Sequence, residues 1–468
     1  MRDLGQIIKA YDVRAVYPDQ LDESLAQEIG AAFVRVLATY GPPATVVVVG
    51  HDMRPSSVPL VDAFAAGVNA QGADVLHVGL VSTDALSFAS GRLGLPGAMF
   101  TASHNPARYN GIKLCRAAAV PVGQDTGLAD IRAMIDRGVP AGDRPVGTVS
   151  RRELLAEYAA YLNQLVDLTG IRGLTVAVDA GNGMAGLTAP VVLAGLPLTL
   201  VPMYFELDGS FPHHEANPID PANLRDLQAK VLATGADLGL AFDGDADRCF
   251  VVDERGEIVS GSTITALIAA RELARHPGST VIHNLITSRT VAEVIREHGG
   301  TPVRTRVGHS FIKAVMADTG AVFGGEHSGH FYFRDFWRAD SGMLAALHLL
   351  ATLGEAPAGT RLSGLLAPYD RYVSSGEINS VVDDVRASTA AVTRAFSPSS
   401  VAVMLDGEPT TVDDLDGLSV HAARWWFNLR PSNTEPLLRL NVEAVDGPMM
   451  ERVRDAVLSL VRDTAEHH

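Results

Sequence analysis

Two cysteines in 468 residues are too few to hold a fold together. Cys115 and Cys249 share no CxxC spacing, which excludes a thiolate zinc site and a disulfide framework and predicts a reducing, cytoplasmic setting. Basic residues are also scarce, 38 Lys and Arg against 54 Asp and Glu, for a formal net charge of −16. Such a surface repels nucleic acid and anionic lipid, so neither is expected as a partner, and an anionic small molecule must be met by a local basic pocket. No apolar run approaches the length that crosses a bilayer. The N-terminal stretch MRDLGQIIKAYDVRAVYPDQ mixes charges with its apolar residues, so neither secretion nor membrane insertion is expected. Low-complexity tracts are absent as well. The terminal AEHH reads as native or as a clipped tag, and His467 and His468 are assigned no metal site.

What the chain has in plenty is apolar residues, 47%, and glycine, 44 in all, enough for large cores joined by many turns. Its length predicts three or four domains. Three stretches share one design, a β-branched run ending in Asp or Gly: TVVVVGHDMR (45–54), LTVAVDAGNGMAG (174–186) and ADLGLAFDGDADR (236–248). Short apolar runs bounded by turn residues suit buried strands, and VDAFAAGVNAQG (61–72) after the first has helical spacing. This is βα organisation, in which ligands gather at the carboxyl ends of strands. A boundary is expected in VPAGDRPVGTVS (139–150), before the amphipathic run RELLAEYAAYLNQLVDL (152–168), with others near VVDERGEIVSG (251–261) and LAPYDRYVSSGEIN (366–379). The tail differs in kind. LLRLNVEA (437–444) alternates as a half-exposed strand, and PMMERVRDAVLSLVRD (448–463) has a helical pattern, predicting a small α+β terminal domain. The expected divisions are 1–146, 147–253, 254–367 and 368–468.

Four short segments carry the chemistry. In GAMFTASHNPARYNGIKL (97–114) a strand-like run leads into a loop that presents Ser103 beside His104, with Lys113 following. FDGDADRC (242–249) sets Asp243, Asp245 and Asp247 at alternate positions after an apolar run. Three close carboxylates repel one another unless a cation neutralises them, and all-oxygen ligation selects a hard ion such as Mg²⁺. An EF-hand is the rival reading, and it fails because Arg248 stands where the turn needs Gly and the flanks are strands rather than helices. Beside a divalent ion, Arg248 suits the holding of phosphate oxygens. GGEHSGHFYF (324–333) offers Glu326, His327, Ser328 and His330, donors and acceptors fit for sugar hydroxyls, whereas a zinc site there lacks third and fourth ligands. In RPSNTEP (430–436), Arg430 can fork onto two phosphate oxygens while Ser432, Asn433 and Thr434 add neutral donors. His309 and Lys313 lie in TRVGHSFIK (305–313).

Taken in this order, TASHNP, DGDADR, GEHSGH and RPSNTEP resemble the four signature loops of the α-D-phosphohexomutases, across nearly the whole chain. GEHSGHFYFRDFWRADSG is most similar to the bacterial phosphomannomutase and phosphomannomutase/phosphoglucomutase branch, and YDVRAVY and DGSFPHHEANP also resemble segments of that branch. The resemblance implies an α/β fold of three related α/β domains with mixed sheets plus a smaller α+β C-terminal domain around a central cleft. Phospho-Ser103 would pass its phosphoryl group to a hexose phosphate, of mannose and also of glucose, giving a hexose 1,6-bisphosphate that turns round and returns the other phosphate. One Mg²⁺ would be held by Ser103 in its phosphorylated form with Asp243, Asp245 and Asp247. Lys113, Arg248 and Arg14 would attend the transfer, and His104, His309 or His330 would take the acceptor's proton. Glu326, His327, Ser328 and His330 would hold the sugar, and Arg430, Ser432, Asn433 and Thr434 the distal phosphate. Hexose phosphates are the implied partners and hexose 1,6-bisphosphate the implied activator, for a monomer or weak homodimer. Ala15 departs from the glycine of many relatives. Leu285 stands near a lysine that some relatives have, and Arg289 is a candidate substitute. A phosphosugar phosphatase and a glucosamine-phosphate mutase are the alternatives, with a non-catalytic sensor less supported.

Overall fold

The computed structural model describes residues 3–396, 408–431 and 437–463. Its strands fall where short apolar runs require them. Gly97–Phe100, Leu238–Phe242 and Cys249–Asp253 are buried along their whole length, so both faces of their sheets must be covered by helices or neighbouring units. Val46–His51 is buried at every residue but its first. The helix Ser57–Ala70 follows it, as the spacing predicts.

Four sheets result. The first runs Val13–Val16, Tyr109–Arg116, Gly97–Phe100, Val46–His51, Asp74–Leu80, Val149–Arg151, and mixes antiparallel pairs at one side with parallel pairs at the other. Val149–Arg151, just past residue 146, still pairs with this sheet. The second runs Ile258–Val259, Cys249–Asp253, Leu238–Phe242, Leu174–Asp179, Leu198–Met203, and the third Thr301–Thr305, Thr280–Asn284, Phe323–Gly325, Phe331–Phe333, both mixed. In the fourth, Val373–Val381, Leu437–Ala444, Trp425–Pro431, Leu418–His421 and Thr411–Asp413 are all antiparallel neighbours. Three mixed α/β sheets and one antiparallel sheet backed by the helix Gly447–Asp463 are the expected fold class.

One local device recurs. In each of the first three sheets a strand with a parallel neighbour ends, the chain makes a tight loop, and it returns antiparallel beside itself. The closing register pairs are Phe100 with Ile112, Phe242 with Cys249 and Gly325 with Phe331. The loops so formed begin at Thr101, Asp243 and Glu326, the very segments that carry the polar motifs. In the fourth sheet Pro431 pairs with Leu438 in the same manner.

Packing divides the molecule unevenly. A single apolar core joins Val48 and Met99 of the first sheet to Val176 and Phe242 of the second and Phe323 and Leu347 of the third unit. The fourth unit has its own core, around Phe396, Trp425, Phe427 and Val457. Its links to the third unit are polar: Arg304 with Asp413 at 2.5 Å, Val307 N–H to Asp416 at 3.2 Å, and Arg289 to the carbonyls of Ala422, Ala423 and Trp425. No helix among the described residues is long and apolar enough to cross a membrane.

A buried histidine gives the third unit a pH dependence. His348, on the helix Gly342–Glu355, stacks on Phe333 at 5.2 Å, and burial depresses it to about 3, with Arg271 and Arg275 acting in the same direction. The unfolded chain protonates this ring near pH 6.5. As pH falls from there towards 3 the unfolded state binds the extra proton, and stability declines by up to about 1.4 kcal/mol per pH unit from this group. His348→Phe is expected to flatten that decline. Urea unfolding near pH 6.5 and about pH 5 measures it, and equal declines in parent and variant reject the burial account.

Candidate active site

The serine loop is built by an arginine. Arg54 is 1% exposed, and its Nε lies 3.1 Å from the carboxylate of Asp52. Its remaining donors fold the loop: Nη2 to the carbonyls of Ser103 and Asn105 at 2.9 and 2.6 Å, Nη1 to those of Pro106 and Tyr109 at 2.9 and 3.0 Å. Ser103 N–H donates to Thr101 Oγ1 at 2.9 Å. The chain passes Ser103 at φ +49°, a left-handed conformation that costs a residue with a Cβ about 1–3 kcal/mol and persists where its surroundings over-determine it. That strain turns Ser103 Oγ to Asp243 Oδ2 at 2.7 Å, with His104 Nδ1 at 3.2 Å.

Across the gap stands the acidic loop, also bent through a left-handed residue, Ala246, at φ +60°. Asp243, Asp245 and Asp247 each bring a carboxylate oxygen within 4.8 Å of the others. Arg248 Nε meets Asp243 at 2.9 Å, and Lys113 Nζ bridges Asp245 and Asp247 at 2.8 and 2.6 Å. Three carboxylates thus share two cations. Burial pushes Asp247 well above the usual carboxylate range, helped by the charge of Asp245. Burial presses Asp245 the same way, but Lys113 overrides it and holds Asp245 low. Asp245 Oδ1 and Asp247 Oδ1 are buried with no hydrogen-bond partner. Bare buried acceptors cost about 1–3 kcal/mol each, and a hard divalent cation satisfies such oxygens. The donor set fits that ion. Arg248 Nη2 is likewise buried and unpaired.

These groups edge a cleft of about 1030 Å³, lined in part by Arg14, Ser103, His104, Lys113, Asp247, Arg248 and His330. Arg14 donates to Asn105 Oδ1 at 2.8 Å and pairs with Asp12. Burial keeps His104 well below its ordinary value, with Arg248 and Arg14 pressing the same way, and burial lowers His330 in spite of Glu326 and Asp340. Both imidazoles are neutral acceptors at neutral pH. His330 also accepts or donates through Nδ1 to Ser328 Oγ at 3.0 Å. Opposite, Lys313 Nζ pairs with Asp340 at 2.6 Å, and both line the cleft.

Other expected residues stand apart in this conformation. Glu326 is buried behind the cleft, its carboxylate taken by Tyr332 OH at 2.7 Å, Asn284 Nδ2 at 3.2 Å and Gly308 N–H at 3.3 Å. His327 lines a smaller cavity with Ser262 and Trp426, within the field of Glu377 and Arg430. Arg430 is paired with Glu377 at 2.7 Å and keeps its Nε unsatisfied. Arg289, a candidate phosphate contact by sequence, spends its guanidinium on the fourth unit's carbonyls. His309 opens the helix His309–Thr319, and its side chain lies outside what is described. Ser432, Asn433 and Thr434 also lie outside the described residues. Sequence reasoning assigned nothing to Arg54, Thr83 or Asp340. The one available signal was an Asp-x-Arg step just past a buried strand, at Asp52 and Arg54.

Comparison with known proteins bears on this geometry directly. Models of phosphoglucomutase/phosphomannomutase alpha/beta/alpha domains I, II and III match residues 5–139, 156–256 and 260–372, and that of the C-terminal domain matches 377–460. The chain belongs to the phosphoglucomutase/phosphomannomutase family. It is 40% identical over 458 residues to the phosphohexose mutases of Xanthomonas campestris pv. campestris, covering 97% of this chain and 98% of the relative. It is 38% identical over 464 residues to a phosphomannomutase of Salmonella montevideo, with the same coverage. A crystal structure of a phosphoglucomutase/phosphomannomutase family protein from Burkholderia thailandensis superposes with a TM-score of 0.88 at 32% identity, covering 100% of this chain and 99% of that one. As a member of this family the chain is a mutase, an intramolecular phosphotransferase of carbohydrate metabolism, with a phosphohexomutase function.

Within this family site, Gly244 is where the serine and acidic loops touch. A Cβ there would lie 2.5 Å from Ser103 O, closer than real side chains come, and backbone on both sides leaves nothing flexible to yield. Gly244→Ala is expected to push the loops apart and lower mutase turnover by about 100-fold while leaving the fold intact. Steady-state kinetics with circular dichroism checks this, and near-parental turnover would show that the contact does not matter.

Proposed function

We propose that the chain interconverts hexose 1-phosphates and hexose 6-phosphates, accepting mannose and glucose, through phosphorylated Ser103 and a bound hexose 1,6-bisphosphate. The observation that carries this reading is the strained Ser103, its hydroxyl 2.7 Å from Asp243 at the edge of a large cleft. In the first half-reaction a sugar hydroxyl bonds the phosphorus as the Ser103 oxygen leaves, and the hydroxyl's proton passes to a base. In the second, Ser103 attacks the other phosphate of the bisphosphate and releases the isomeric monophosphate. Phosphoryl transfer depends on alignment and on neutralising charge spread over the equatorial oxygens. Asp243, Asp245, Asp247 and phospho-Ser103 would hold a divalent ion, Mg²⁺ by its oxygen ligands, which would supply positive charge to the transferring phosphoryl group.

The protein's own groups do the rest. Arg248 and Lys113 hold the acidic loop and present positive charge to the transferring group, and Arg14 orients the serine loop through Asn105. His104 at 3.2 Å from Ser103 Oγ and His330 in the cleft wall are neutral proton acceptors, with His309 the third candidate. Glu326, His327, Ser328 and His330 serve the sugar, and Arg430 with Ser432, Asn433 and Thr434 serves the distal phosphate. A cleft of about 1030 Å³ lies at the upper end of the roughly 300–1,000 Å³ of small-molecule sites, room for a bisphosphate to turn. Mannose and glucose phosphates differ at one hydroxyl's configuration, worth about 1–3 kcal/mol in a discriminating pocket. Dual use follows if the pocket contacts the shared hydroxyls. The two cysteines are free, in keeping with a cytoplasmic enzyme.

The purified protein with Mg²⁺ and a trace of hexose 1,6-bisphosphate is expected to convert glucose 1-phosphate and mannose 1-phosphate to the 6-phosphates. Mass spectrometry is expected to find phosphate on Ser103, and Ser103→Ala to lose at least about 1,000-fold in turnover. Conversion of neither sugar by the phosphorylated protein sinks the reading, and free phosphate released at the rate of sugar turnover makes it a phosphatase.

A further inference from the structure

Asp84 lies outside every motif in the sequence and lines no part of the cleft. It sits in the first turn of the helix Thr83–Leu93 and is 0% exposed. Its carboxylate gathers hydroxyls from three domains. Ser82 Oγ donates to Oδ1 at 2.5 Å from domain I, while Tyr158 OH from domain II and Ser341 Oγ from domain III donate to Oδ2 at 2.7 and 2.6 Å. A buried carboxylate is expensive unless fully hydrogen-bonded, and here the partners are hydroxyls rather than a basic side chain. Burial lifts Asp84 to about 6, with the three hydroxyls drawing it back. Near neutrality it is therefore mainly ionised, the form able to accept from all three.

Two of these links continue straight into the site. Thr83, next in the chain, donates N–H to Asp245 O at 3.0 Å and Oγ1 to Asp245 Oδ2 at 2.5 Å. Ser341 follows Asp340, the partner of Lys313 in the cleft wall, and caps the helix Gly342–Glu355 through Leu344 N–H at 3.1 Å. That helix's first residue lies against Arg248, where a Cβ on Gly342 would sit 2.6 Å from the arginine's carbonyl carbon. The joint at Asp84 thus ties Asp245, the backbone of Arg248 and the opposite wall to one another.

We infer that Asp84 is a positioning residue of the transfer site, which locks domains I, II and III together and, through Thr83 and Ser341, sets how Asp245 sits in the aspartate trio and how Asp340 faces the cleft. The inference rests on the reading of the aspartate trio as divalent-ion ligands. Outer groups that orient ligands typically change metal affinity by 10–100-fold when removed.

Calorimetric titration of the whole protein with Mn²⁺ provides the test. Asp84→Asn is expected to weaken Mn²⁺ binding about tenfold, and Tyr158→Phe and Ser341→Ala to weaken it less in the same direction. Leu162→Ala, a cavity variant on the helix Leu155–Leu165 that carries Tyr158, is expected to lower the melting temperature and to keep parental affinity. In kinetics the Mg²⁺ concentration for half-maximal rate should rise about tenfold in Asp84→Asn while kcat at saturating Mg²⁺ stays within about threefold. Parental Mn²⁺ affinity in a folded Asp84→Asn overturns the inference and leaves the metal reading standing. Equal loss of affinity in Leu162→Ala also overturns it, since stability alone would then account for the change. If Asp84→Asn does not fold, Tyr158→Phe and Ser341→Ala decide by the same criterion. A parent protein that takes up no Mn²⁺ removes the metal reading and the inference together.

Discussion

Three carboxylates crowded at the end of one strand are the constraint around which the rest of the molecule is arranged. Asp243, Asp245 and Asp247 are buried, and each pair of like charges at such range repels by several kcal/mol where the local dielectric is low. The acidic loop itself supplies one cation, Arg248. Another comes from Lys113, on the return strand of the serine hairpin in a different domain, and the helix Thr83–Leu93 of that domain contributes an uncharged donor through Thr83. Because part of that compensation comes from the first domain, the trio is tolerable only when that domain is docked. The same contacts that quiet the acidic loop bring Ser103 to it.

The hairpin device explains how so few residues accomplish this. A strand in the middle of a sheet delivers its last residue at a fixed height, and a tight antiparallel return keeps the loop short. The loop cannot wander. With Phe100 registered to Ile112 and Phe242 to Cys249, the serine and the aspartates are the residues left at the turns, and close packing of Gly244 on Ser103 O brings the two turns into backbone contact. Strain at Ser103 and Ala246 is the local consequence, and the four hydrogen bonds from Arg54 to loop carbonyls are what balance it on the serine side.

Much of this was legible in the chain before its structure. Apolar runs ending in polar loops mark strands that end in loops carrying polar side chains, and Ser103, Asp243, Asp245, Asp247 and Arg248 at those loop tips lie beside one another. Residues that organise the loops were not legible. Arg54, Thr83, Asp84, Asp340 and Tyr158 act through partners far away in sequence, and a lone Arg, Thr or Asp near a helix start has the same local appearance whether it caps a helix or braces a site. Sequence pattern also says nothing of which side chain is already engaged. Glu326 is part of a sugar-like loop, yet Tyr332, Asn284 and Gly308 hold its carboxylate, and Arg289 is drawn to carbonyls that no motif foretells.

Where the joints of the molecule are weak follows from how each is made. Separating the first three units would open a continuous core containing Phe242, Phe323 and Leu347, and apolar surface costs roughly 25 cal/mol per Å² to expose. Between the third and fourth units the links are partly exposed ion pairs and backbone hydrogen bonds. Such pairs are worth about 0–1 kcal/mol each, and water replaces them readily. The fourth unit, with its separate core, is therefore the part that can turn as a body at least cost. It bears Arg430, paired with Glu377 at 2.7 Å, and on the proposed reading a phosphate would compete for that guanidinium by offering it two oxygens. Three domains on one shared core keep the serine and aspartates in register, and a fourth unit with its own core and polar links can shift without loosening that geometry.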